Sequence, residues 1–119
     1  MSASGGILTA VAGLTVGGSL KMPVRSVAAN NVMTVNDFAI RGTGGAADIT
    51  VSLPAAPPVG MLAAVKKVDA GVGRVLVSGN GATIDGAATQ PLTNQLDGIL
   101  VQFAGPNWFT VAEISAAIL

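Results

Sequence analysis

The chain has 119 residues; half are hydrophobic, 10% are charged and 3% aromatic, and six basic against six acidic side chains leave a formal net charge of zero. It contains no Cys, His or Tyr. Those absences exclude disulfide staples, thiol nucleophiles, cysteine- or histidine-based metal centres and histidine-driven proton transfer, and the scattered charge leaves no basic stripe for a phosphate backbone.

Residues 1–6 are Met, Ser, Ala and Gly, too little side chain to fix a conformation without a partner, and they lack the basic region that would open a secretion signal. Residues 7–20 are apolar but too short to span a bilayer, and Gly13, Gly17 and Gly18 interrupt them. Leu8, Ala10, Ala12 and Leu14 alternate as in a strand, while Ile7, Val11 and Leu14 also fit a helical stripe; the β-branched residues and glycines tilt the reading towards extended chain. Such a stretch suits an arm that adds a strand to a neighbouring subunit, and equally an ordinary first strand pair of the domain.

Residues 22–27 read as an edge strand with Pro23 at its start, and Asn30-Asn31 is a turn signal. Residues 32–40 resume alternation, with Phe38 and Ile40 facing the core together. Gly42-Thr43-Gly44-Gly45 reads as a hairpin loop. A phosphate-cradling loop would lead into a helix N-terminus, whereas Ala46-Ala47-Asp48-Ile49 enters a strand. Ile49, Val51 and Leu53 then alternate with Thr50 and Ser52, and the proline-rich loop of residues 54–60 ends that strand. Strands at 61–68 and 74–78 follow as a meander, with Gly71 and Gly73 supplying positive φ to the connection and Val75 and Val77 sharing a face. Of Lys66-Lys67, one side chain is expected in solvent and the other snorkelling beside the sheet.

Gly79-Asn80-Gly81 and Asp85-Gly86 bracket a very short strand at Ala82-Thr83-Ile84. Pro91 confines residues 87–92 to an edge, residues 94–98 connect, and Ile99, Val101 and Phe103 alternate. After the Gly105-Pro106-Asn107 turn, Trp108-Phe109 opens a last strand through Val111, with Trp108 closing a small core. Residues 112–119 read as a helical turn or a strand, and Ile118-Leu119 is expected to dock on a subunit.

Four of these stretches carry a resemblance. Thr50-Val51-Ser52-Leu53-Pro54-Ala55-Ala56-Pro57, the lysine-bearing Val65-Lys66-Lys67, the turn unit Gly79-Asn80-Gly81-Ala82-Thr83-Ile84-Asp85-Gly86 and Pro106-Asn107-Trp108-Phe109 together resemble a pattern of tailed-phage virion proteins: tail fibres, head fibres and capsid decoration proteins. The resemblance covers about residues 33–111. It departs at Phe103-Ala104-Gly105-Pro106, where a polar turn is usual, and at Leu62-Ala63, where an aromatic is common.

One domain of this length buries roughly 65% of its unfolded surface, enough for a core without staples. Ten per cent charge is nonetheless little to cover a monomer, so burial between subunits is expected. The expected fold is all-β, a small antiparallel barrel or sandwich at 29–119 preceded by an arm and first strands at 1–28, and the resemblance implies trimeric assembly. No enzyme is expected. Ser52, Ser78 and Ser115 have no histidine to activate them, a Ser–Lys pair of Ser52 or Ser78 with Lys66 has no supporting motif, and Asp69 and Asp85 stand as turn residues rather than a metal cluster. No catalytic, cofactor-binding or metal-ligating residue is therefore assigned.

What the resemblance implies is a structural virion protein made in the host cytoplasm and carried on the capsid surface. There it would cement the major capsid protein, with neither nucleic acid nor membrane as partner. The alternative is a tail-fibre or head-fibre domain that binds a host surface. Chain length favours the first, since a fibre protein normally adds an attachment domain and a shaft, and scarce aromatics favour it too.

Overall fold

Nine strands and no helix form among residues 15–115, the part of the chain that the computed structural model describes. The apolar segment before Thr15 and the Ile118-Leu119 end lie outside the described residues. In chain order the strands are β1 (Val24–Val27), β2 (Asn31–Val32), β3 (Ala39–Gly42), β4 (Ile49–Ser52), β5 (Leu62–Lys67), β6 (Val75–Ser78), β7 (Thr89–Leu92), β8 (Gly98–Phe103) and β9 (Trp108–Ile114).

These strands build two sheets, one of five in the order β1-β3-β5-β8-β9 and one of four in the order β2-β4-β6-β7. From β1 to β6 the chain alternates between them, and each strand lies parallel to the one two before it: β1 with β3, β3 with β5, β2 with β4, β4 with β6. A parallel pair needs a long crossover, and here a strand of the opposite sheet takes the place of the usual helix. The last three strands close the coil antiparallel, β7 on β6, then β8 on β5 and β9 on β8.

The all-β expectation stands, and several finer ones are corrected. The sheets are mixed rather than antiparallel, and neither closes into a barrel. Residues 49–53, 61–68 and 74–78 are not a meander, because β5 joins β3 and β8 while β4 joins β6. For the same reason Gly42-Thr43-Gly44-Gly45 is no hairpin loop: it carries the chain from one sheet to the other. Residues 32–40 are also not one strand. Asp37 accepts the Thr34 N–H at 2.9 Å, and the turn it caps leaves Val35 exposed before β3 begins.

Alternation sets the core. Ile40, Ala63, Val65, Ile99 and Val101 point inward from the five-stranded sheet, and Ile49, Val51, Val75, Val77 and Leu92 meet them from the other. Met33, Leu53, Ile84 and Trp108 fill the end of the sandwich. Trp108 is 2% exposed, packs edge-on against Phe103 with centroids 5.3 Å apart, and donates its backbone N–H to the Thr83 carbonyl at 2.9 Å. Ile84 bridges to both Trp108 and Ala87, which is what the short segment at residues 82–84 contributes. Pro23 immediately precedes edge strand β1 and Pro91 lies within edge strand β7, as their missing N–H requires.

Gly71 and Gly73 are needed for a different reason from the positive φ expected of them. Neither has one; instead a Cβ on Gly73 would overlap the Ala47 carbonyl, and one on Gly71 the Gly45 carbonyl. The two inter-sheet loops touch backbone to backbone at this end, with Gly73 donating its N–H to the Gly45 carbonyl at 2.9 Å.

Candidate interaction surface

The same end of the sandwich holds the one fully buried cation among the described residues. Lys67 points inward with Ala63 and Val65, and its ammonium donates to Asp69 Oδ1 at 2.7 Å and to the carbonyls of Asp69 and Gly71 at 3.0 Å each. All three ammonium protons are used, which is what a buried lysine needs. The expectation that one lysine of the pair snorkels is thus corrected: loop carbonyls and a carboxylate meet Lys67 inside, so its head never has to reach water.

Asp69 in turn accepts backbone N–H groups from Gly44, Gly45 and Gly71 at 3.0, 3.0 and 2.9 Å. The hydrogen bond from Lys67, followed by those backbone donors, holds its carboxyl well below the usual carboxylate range. The glycine loop that could have cradled a phosphate therefore cradles an anion of its own chain. Its donors are spent on structure.

The candidate reagents of the sequence do not converge. Ser52 and Ser78 are direct partners across β4 and β6, whereas Lys66 lies on the five-stranded sheet and points away from the core. Ser115 follows the end of β9. Asp85 accepts the Thr110 N–H at 3.0 Å and lies below its ordinary pKa through that bond. Among the described residues no three His, Cys, Asp or Glu side chains are grouped as metal ligands.

What the structure does assemble is a surface, the outer face of the five-stranded sheet. Cross-strand register aligns Val24, Ala39, Ala64, Leu100 and Ala112 in one row across all five strands. The adjacent row runs Ser26, Arg41, Lys66, Gly98, Ile114. Because the side chains of the first row are mostly small, a shallow apolar groove of about 380 Å³ opens over β3, β5, β8 and β9, with Arg41 and Lys66 on its margin. Parallel strands are ordinarily covered on both faces, and here β3 and β5 have a core on one side only.

Arg41 and Lys66 are direct cross-strand neighbours, a like-charged arrangement that disfavours the sheet unless a counter-charge approaches. The described ion pairs are Arg25–Asp37, Lys67–Asp69 and Arg74–Asp48, so neither cation has an acidic partner within the described residues. Sequence reading missed this surface. Arg41 and Lys66 are far apart in the chain, and only the parallel register of β3 on β5 brings them side by side.

Compared with known proteins, the chain matches no family model and no curated sequence.

Proposed function

We propose that this protein is a structural component of a tailed-phage virion, a decoration or cement protein that binds the capsid exterior and ties neighbouring capsomers together. Its work is contact rather than catalysis. The observation that carries the reading is the uncovered outer face of the five-stranded sheet, an apolar row bordered by two unpaired cations, on a sandwich whose other polar clusters are spent on holding loops. Rigid apolar sheet faces of this kind give shape-complementary contact at little entropic cost. The motifs that resemble virion appendages direct it to the major capsid protein, and their symmetry implies a homotrimer. The segment at residues 2–20 is the proposed anchor, pairing its main chain with a neighbouring subunit or with the shell.

The test is binding to purified particles that lack the protein. The intact chain saturates the shell, and a chain without residues 2–20 keeps a β-rich circular dichroism spectrum but no longer binds. Equal binding by the truncated chain overturns the anchor, and density on the tail instead of the shell overturns the cement role. That second outcome would favour the fibre-domain reading, which has one feature in its support: a coil of parallel strands can extend rung by rung, as a shaft does.

A further inference from the structure

We infer that the outward edge of β1 receives the apolar arm of a second copy of this chain, residues 7–14 adding one strand beside Val24 and Ser26. This rests on the proposal that the segment at residues 2–20 is the anchor, and it names the edge that takes it.

The two sheets leave four edges among the described residues, and three of them are guarded. β2 is two residues long, and Arg25 Nη2 reaches its outward Val32 carbonyl at 3.4 Å. Before β7 the Ala88 carbonyl accepts the Gly79 N–H at 3.1 Å; counting on in twos, Gln90 and Leu92 also face β6, which leaves the Pro91 nitrogen, with no proton to donate, on the outside. β9 exchanges backbone bonds with residues 83–85 at Trp108, gives its Thr110 N–H to Asp85 Oδ1 at 3.0 Å, and is bulged beyond at Val111. Short strands, prolines and bulges are how proteins keep an edge from taking another chain. β1 has no such guard. The Pro23 and Val27 carbonyls accept from Ala39 and Thr43 at 3.2 and 2.9 Å, so alternation turns the N–H and C=O of Val24 and Ser26 outward, and the Pro23 nitrogen lies on the β3 side where it protects nothing. The one charge of the strand, Arg25, is paired with Asp37 at 2.9 Å and turned towards β2. No described residue bonds the outward groups of Val24 and Ser26.

The chain that leads into this edge is bare in the same way. Residues 1–20 carry no charged side chain, and residues 7–14 are apolar apart from Thr9. Where the arm enters the described structure it stands off the body: Val16, Leu20 and Met22 are 45%, 66% and 47% exposed, and nothing lies within 4 Å of a Cβ placed on Gly17 or Gly18. A return onto its own β1 is disfavoured both ways. Antiparallel, it needs a tight hairpin turn, and neither glycine has the positive φ of one. Parallel, it needs a crossover, and residues 15–23, nine in all, are fewer than the eleven of residues 28–38, the shortest crossover between parallel strands of this fold. Extended, the same residues reach about 30 Å, enough to cross to a neighbour. Each copy thus holds an open edge and an uncharged apolar strand sequence next to each other in the chain, and exchange between copies satisfies both, main chain to main chain.

The test uses the full chain, which has no Cys, so that introduced cysteines report contacts cleanly. Ser26→Cys is combined with a cysteine at each position from 8 to 12 in turn, and the oxidised products are weighed by mass spectrometry. A disulfide that joins two copies is expected at one or two of those positions; one that closes within a single copy, or none at any position, overturns the inference. Association is read by light scattering and analytical ultracentrifugation. Wild type is an oligomer at micromolar concentration, and Val24→Lys and Ser26→Pro, each of which keeps the bonds to β3, weaken it about tenfold or more with an unchanged circular dichroism spectrum. A monomeric wild type, or an oligomer that neither change weakens, overturns it too. Binding to particles is scored separately. Arm exchange between copies without particle binding leaves this contact standing and removes the virion reading; particle binding by a wild-type monomer does the reverse.

Discussion

Lys67 Nζ lies 2.7 Å from Asp69 Oδ1, and the two residues, one strand end and one loop, tie the β3–β4 and β5–β6 connections together at one end of the sandwich. Replacing Lys67 by Met keeps the length of the side chain but leaves Asp69 and two carbonyls without their donor. A buried pair is costly to break from one side, so the melting temperature is expected to fall by roughly 5–10 °C, measured by calorimetry at pH 7.

The same node fixes the response to acid. Asp69 has a folded pKa held below its ordinary value, so its contribution is fully present above the unfolded pKa of about 4 and is lost as pH falls through the folded value. Asp37 and Asp48 shift in the same direction, each first through its hydrogen bond from arginine. Thermal melts are therefore expected to be level from neutral pH down to about pH 5 and to drop below it. Asp69→Asn starts less stable at pH 7, and its deficit narrows as the pH is lowered. A deficit that stays constant with pH contradicts the assignment.

Glycines of the turn unit divide by mechanism. Gly81 and Gly86 sit at φ of +95° and +85° with open space where a Cβ would go, whereas a Cβ on Gly79 would overlap the Ala82 carbonyl. Gly81→Ala is expected to cost about 1 kcal/mol of backbone strain. Gly79→Ala forces the turn itself to move and costs more, and Gly17→Ala, which meets nothing, leaves the urea midpoint unchanged.

Trp108 buries its indole Nε1 with no hydrogen-bond partner among the described residues. Trp108→Phe removes that unpaired donor while leaving most of the ring volume, so the loss is expected to stay within about 1.5 kcal/mol in urea unfolding. Trp108→Ala opens a cavity beneath Phe103 and Ile84 and is expected to cost about 3–5 kcal/mol.

Strand content was legible wherever one face is buried. Ile49, Val51 and Leu53 announce their strand by alternation, Pro23 and Pro91 announce edges, and Trp108 announces a core position by size. Pairing was not legible, since a period of two says which side of a strand is inside and nothing about which strand lies next to it. That ambiguity hid the exchange between sheets, and with it the meeting of Arg41 and Lys66. The burial of Lys67 was hidden for another reason: its partners are mostly backbone atoms of loops, which leave no mark in side-chain chemistry.

The alternation of strands between sheets has a kinetic side. Between Val24 and Ala39, and between Ile49 and Val75, the chain passes through a strand of the opposite layer, so each of these pairs closes a loop that the other sheet also uses. The two sheets are thus threaded through each other along the chain. Only β6 with β7 and β8 with β9 join neighbours in sequence, so a folding nucleus belongs in the second half of the chain, where loop closure is short. On a ribosome those strands emerge after the first six. The first coils, with their long-range parallel pairs, are then expected to be completed only once the hairpins that close them have been made.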